Sequence, residues 1–172
     1  MDSASVKKVL RSTQENKMPV IQNALIAYIH YLSFMICFGA LIFERISLKT
    51  TPNRKEAISM VVADIIYGVA GVALLVSGIF RVIKFGHGSE FYTENPLFWF
   101  KVASYVAVGL LSLYPTFTYI LWAIPISKNN LPSLTAELVS RFRVIINIEL
   151  VGFLLIPLMA TLMARGIGLA TV

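Results

Sequence analysis

A chain of 172 residues that is 57% hydrophobic and only 14% charged has far more apolar surface to bury than a soluble domain, which carries about 25% charged and roughly 45–50% apolar residues. That excess excludes intrinsic disorder, and a single cysteine, Cys37, excludes a disulfide framework. The net charge of +6 falls mostly in short segments between apolar runs, a pattern that suits lipid headgroups and not nucleic acid.

The first 19 residues, MDSASVKKVLRSTQENKMP, are a polar, basic tail. Val6, Val9, Leu10 and Thr13 would share one face of a surface helix, but the composition favours a frayed terminus. The apolar run that follows is too long for the core of a cleaved signal peptide, and no small-residue cleavage site ends it. Four apolar runs then take up the chain. Val20–Phe43 contains no Asp, Glu, Lys or Arg. The second, about Ala57–Phe80, holds Asp64, and the third, about Pro96–Ile126, holds Lys101. The fourth starts near Val144, holds Glu149 and is apolar to Ala164, its span extending to Gly168.

A helix rises ~1.5 Å per residue, so about 20 residues cross a hydrocarbon core of ~30 Å. The runs are apolar all round and lack the polar face of a soluble bundle. In lipid a helix satisfies its own backbone hydrogen bonds without closing a barrel. The expected fold class is therefore all-α, an integral membrane four-helix bundle over residues 20–172, with spans near 20–43, 57–80, 96–126 and 144–168. Consecutive spans are expected to be antiparallel, with kinks at Pro115 and Pro157. The first connection, ERISLKTTPNRKE, is short and basic. The second mixes glycines with Phe85, Phe91 and Tyr92, which together with Phe98, Trp99 and Phe100 suit a membrane interface. Basic residues divide evenly between the two sides, so orientation stays open; setting the tail aside places the first and third loops in the cytoplasm.

Charged groups inside a bilayer are costly and are usually partnered or functional. They fall into two layers. Toward the first loop, Asp64 and Glu149 lie at similar depth, and Arg45 ends span one with Glu44 beside it. Arg45, Asp64 and Glu149 are read as a buried ionic cluster. It is either an ion pair that locks three helices or a carboxylate pair that handles protons or a ligand. Toward the tail, His30 and Lys101 lie within roughly 7 Å of each other in height, with Tyr28, Tyr31 and Tyr105 nearby in sequence. They are either a packing histidine and a snorkelling lysine, or a polar pocket in which neutral His30 ligates a metal or haem iron. On the second reading His30 and Lys101 are the cofactor-binding residues.

Only His30 and His87 are present, about half a bilayer apart, which argues against a bis-histidine haem. Two histidines and one cysteine give no zinc or copper spacing. Met35, Met60, Met159 and Met163 are read as packing residues. Gly68, Gly71 and Gly78 with Ala63, Ala70 and Ser77 in span two, and Ala160, Ala164 and Gly168 in span four, permit close helix contact, within the bundle or in a homodimer.

The stretches ALIFER (Ala40–Arg45), ADIIYGVAGVALLVSGIFRV (Ala63–Val82) and GHGSEFYTENPLFWFKVASYVAVGLLSLYPTFTYILW (Gly86–Trp122) resemble the DUF2214 family of predicted bacterial membrane proteins, from about Ala27 to Gly168. NPLFWFK and LSLYPT are the most specific strings. His87 stands where the family's glycine loop is expected to carry a lysine, which separates it from any shared role. The resemblance implies a multi-pass protein of a bacterial cell membrane or another internal membrane, and it implies no particular reaction. A histidine on span one with a lysine early in span three is also similar to membrane protoporphyrinogen oxidases of the HemJ type and to CopD-like proteins. The likeness to the former implies haem or porphyrin chemistry, with haem b as cofactor, at His30 and Lys101. Two functional classes remain: a small haem- or porphyrin-linked membrane redox protein, or a non-enzymatic membrane protein. The latter would be a small carrier or an assembly and interaction partner, alone or as a homodimer.

Overall fold

The computed structural model describes residues 3–85, 89–128, 130–131 and 134–168. Helix α1 covers Ser3–Ser47 and α2 covers Arg54–Phe80, continuing into a π-helical turn, Arg81–Phe85. A short α3, Ser89–Thr93, precedes α4, Pro96–Ser127, and α5, Ala136–Ala164. Four stretches are long and apolar enough to cross a membrane: Pro19–Ser47, Arg54–Lys84, Pro96–Ile126 and Ala136–Ala164. The all-α four-helix bundle expected from the sequence is the fold observed.

Local sequence sets the helix starts. Asn53 and Glu56 form a reciprocal capping box at α2: the Asn53 side chain accepts from the Glu56 N–H at 3.0 Å, and the Glu56 carboxylate accepts from the Asn53 N–H at 2.8 Å. Asn95 caps α4 by accepting from the Leu97 N–H at 2.9 Å, with Pro96 in the first turn, where no N–H is needed. Thr135 caps α5. After α5 the chain turns through Gly166 and Gly168 at φ of 78° and 89°, backbone that a residue with a Cβ rarely adopts.

The boundaries differ from expectation in two helices, α1 and α5. Helix α1 runs through Pro19 back to Ser3, so the basic segment is part of the helix and not a frayed end; its Lys, Gln, Glu and Met are good helix formers. Helix α5 begins at Ala136, eight residues before Val144. Buried Val139, Phe142 and Ile146 extend the inward stripe there, while Arg141 and Arg143 ride on the outer face. It stops at Ala164, so Gly168 lies beyond the helix and the small-residue stripe of span four does not continue to it. Pro115, Pro125 and Pro157 all lie inside helices that continue past them.

The helices form a ring: α1 packs on α2, α2 on α4, α4 on α5, and α5 returns to α1. The α1–α2 and α4–α5 contacts are the broadest, and the backbones of the diagonal pairs stay apart among the described residues, meeting only through side chains such as Tyr67 and Phe153. Toward the α1–α2 connection the core is aromatic. Tyr119 lies 5.1 Å from Trp122 and 5.7 Å from Phe142, centroid to centroid. Farther along, Phe153 sits 5.4 Å from Phe34 and 6.2 Å from Tyr67. Valine, isoleucine and leucine on the outer faces are exposed on every long helix, as a lipid-facing belt requires. The small residues of α2 divide by face. Ala63, Ala70 and Ser77 are buried against neighbouring helices, whereas Gly68 faces outward into open space.

Candidate functional site

Two layers of polar side chains interrupt the apolar bundle. In the first, Glu44 from α1, Asp64 from α2 and Glu149 from α5 are exposed by only 2%, 5% and 1%. Each lies within electrostatic reach of the other two. Asp64 Oδ1 accepts a hydrogen bond from Thr116 Oγ1 at 2.7 Å. Glu44 Oε1, Glu149 Oε1 and the Tyr119 hydroxyl are buried without a hydrogen-bond partner among the described residues. The Tyr119 ring is fully buried, and its hydroxyl lies within electrostatic reach of all three carboxyls.

The structure brings Asp64 and Glu149 together but does not add Arg45. Consecutive residues project ~100° apart around a helix of 3.6 residues per turn, so Glu44 and Arg45 cannot both face inward. Glu44 takes the interior, and Arg45 Nε donates to Asn147 Oδ1 at 2.8 Å on the outer side. Arg143 donates to the Leu48 carbonyl at 3.2 Å, and Arg141 pairs with Glu137 on the surface. The cluster is therefore acidic, where an ionic cluster containing Arg45 was expected. The signal for Glu44 was in the sequence: Cys37, Leu41, Glu44 and Leu48 follow one helical stripe, and all four are buried.

The second layer lies toward the other end. His30 is half-buried on α1, with Nδ1 3.1 Å from the Leu74 carbonyl oxygen and 3.0 Å from Ser77 Oγ. A carbonyl can only accept, and Ser77 gives its own proton to the Ala73 carbonyl at 2.6 Å. Nδ1 therefore carries the hydrogen, and Nε2 keeps its lone pair. The ring lies against Gly78, where a Cβ would stand 3.2 Å from His30 Cε1. Lys101 lies within electrostatic reach of this ring, its ammonium 5.2 Å from the Phe98 centroid.

Arg81 joins the same layer, its guanidinium 4.9 Å over the Tyr31 ring. Sequence reasoning did not single it out, although it ends an apolar run on the same side as Lys101. Arg81 opens the π-helical turn, a local widening that is frequent at functional sites. Tyr105 closes the layer from below by donating to the Gly71 carbonyl at 2.7 Å, while Tyr28 and Tyr31 are exposed. His87 lies outside the described residues. Among the described residues no group of three His, Cys, Asp or Glu side chains is arranged to hold a metal ion.

Four helices long and apolar enough to cross a membrane, with exposed apolar outer faces and carboxyls buried among them, define a predicted multi-pass helical membrane protein. The family model described as a predicted membrane protein, DUF2214, matches residues 22–168, and the chain belongs to that family. No curated protein and no solved structure matches it. The matched segment contains both polar layers.

Proposed function

We propose that the layer around His30 and Lys101 holds haem or a porphyrin, and that the protein is a small haem- or porphyrin-linked membrane redox protein. The observation that carries this reading is the 3.1 Å approach of His30 Nδ1 to the Leu74 carbonyl. Metal-ligating histidines donate their other ring N–H to just such a partner, which fixes the tautomer and ring orientation. The Nε2 lone pair would then be the one that ligates the iron. Lys101 and Arg81 supply cations for the porphyrin carboxylates, with charge-assisted hydrogen bonds stronger than neutral ones. The chemistry of this donor set supports a haem with one ligand from this chain. When bound, haem supplies one-electron chemistry at iron; the chain's own part is to ligate through His30 and to hold the propionates through Lys101.

Absorbance of the purified protein, expressed with haem supplied, tests the reading. A Soret band is expected in the wild type, absent in His30→Ala and weakened in Lys101→Met. A wild-type protein that shows no Soret band and takes up no added haem overturns it. The alternative, a non-enzymatic small carrier or assembly partner, draws support from the buried carboxyls at the other end of the bundle. In an assembly role, a second copy or a partner helix would meet the outward-facing Gly39, Gly68 or Gly109, each open where a Cβ would stand.

A further inference from the structure

We propose that Glu44, Asp64 and Glu149, together with the Tyr119 hydroxyl, form a proton-binding centre inside the bundle. It stands independently of the haem reading: on α2, Asp64 and Ser77 are 13 residues apart, which is ~20 Å at helical rise.

An isolated ionised carboxylate in a low-dielectric interior carries a large desolvation cost, so three together require compensating positive charge. The neighbouring elements do not supply it among the described residues. From α1 come Glu44 and Cys37, while Arg45 is turned to Asn147. From α2 come Asp64 and Tyr67, and from α4 Tyr119 and Thr116. From α5 comes Glu149, while Arg143 is engaged by the Leu48 carbonyl. The described side chains are not arranged around a metal ion. Protons are the positive charge that remains.

The second observation is independent of the acids. Tyr119 is fully buried between Trp122 and Phe142, and its hydroxyl is unpartnered within reach of all three carboxyls. Together with Glu44 Oε1 and Glu149 Oε1 it leaves three unsatisfied polar atoms on groups within electrostatic reach of one another. A closed structural network would have satisfied them, since buried polar groups are nearly always paired. Glu44 lies three residues before the end of α1, which makes it the entry from the side of the α1–α2 connection. Loading forms one O–H bond at a carboxylate oxygen as the donor water or hydronium loses that proton; unloading reverses the transfer.

Difference infrared spectroscopy of the full chain in liposomes, stepped in bulk pH, tests the centre. The expected result is a protonated-carboxyl C=O band that changes reversibly with pH and shifts in deuterated water. It should lose one component in Glu44→Gln and another in Glu149→Gln, and stay the same when sodium is exchanged for potassium. Tyr119→Phe keeps the ring packing and removes only the hydroxyl, so it should shift the band even if an acid variant fails to fold. A band that ignores pH, a spectrum that follows sodium or potassium at fixed pH, or an unshifted band in Tyr119→Phe overturns the proposal.

Discussion

Helices α4 and α5 approach closely at Gly152, where an added Cβ would stand 2.5 Å from Val108 Cγ2. Carbon atoms pack best at about 3.5–4.0 Å, so a methyl at this position overlaps that neighbour by about 1 Å. Val108 is only 4% exposed, and a β-branched side chain in a helix has essentially one rotamer. It cannot swing aside, and Gly152→Ala must push the helices apart. Overpacking of this kind costs about 1–3 kcal/mol, while replacing a helical glycine by alanine returns about 1 kcal/mol. The single variant should therefore be destabilised by roughly 0–2 kcal/mol, too small a range to decide the matter alone. The coupling decides it. Val108→Ala removes two methyl groups at about 0.8 kcal/mol each; in the double variant the methyl introduced by Gly152→Ala occupies the space they leave. The cost of the double variant should then fall short of the sum of the two single costs by about 1–3 kcal/mol.

Cys37 gives the assay. It is the single cysteine and fully buried, so a thiol-reactive dye added during heating in detergent reports unfolding directly. Val108→Ala should lower the melting midpoint and Gly152→Ala should lower it or leave it unchanged, with the double variant well above the additive expectation. Additivity within about 0.5 kcal/mol would refute the claim that Gly152 sets this helix approach.

The same melt checks three further expectations. Arg45→Ala should be nearly neutral, within about 0.5 kcal/mol, because its partner is the exposed Asn147; a loss of about 3–5 kcal/mol would show instead that it neutralises the buried carboxyls. Thr116→Val keeps the shape but removes the 2.7 Å donor to Asp64 and should cost about 1–3 kcal/mol, whereas Asp64→Asn, which cancels one charge among three acids, should raise the midpoint. Asn95→Ala should lose about 2 kcal/mol, from its cap on α4 and from its 3.0 Å bond to the Ile167 carbonyl. Asn95→Asp keeps the cap and should fall between that variant and the wild type.

The membrane fold was legible because uninterrupted apolar runs dominate the sequence, and a bilayer admits few solutions to the backbone hydrogen-bond problem. The depths of His30, Lys101, Asp64 and Glu149 were legible too, since helical rise converts residue number into height. Azimuth was harder to read. Residues 44 and 45 differ by a fraction of a turn: the arginine offered a charge partner, but the buried stripe through Cys37 and Leu41 selected the glutamate. The start of α5 was misplaced for a related reason. Arg141 and Arg143 look like a membrane boundary when counted as charges, yet both project from the outer face while Phe142 between them is fully buried. Hydrogen bonds from side chains to distant backbone, such as His30 to Leu74, depend on which helices become neighbours, and composition does not encode that.

The acidic centre and the basic layer stand at opposite ends of the bundle. Along α2, Asp64 and Arg81 are 17 residues apart, or ~26 Å of axial height, close to the full ~30 Å hydrocarbon thickness. A membrane potential does work on any charge that crosses it, about 2.3 kcal/mol per elementary charge for each 100 mV. A proton that reaches Glu149 has crossed part of that field, so its occupancy responds to voltage as well as to pH. The direction of insertion fixes the sign: with the carboxyl end toward the positive side of the membrane, the potential drives protons onto the centre, and in the opposite orientation the same potential holds them off.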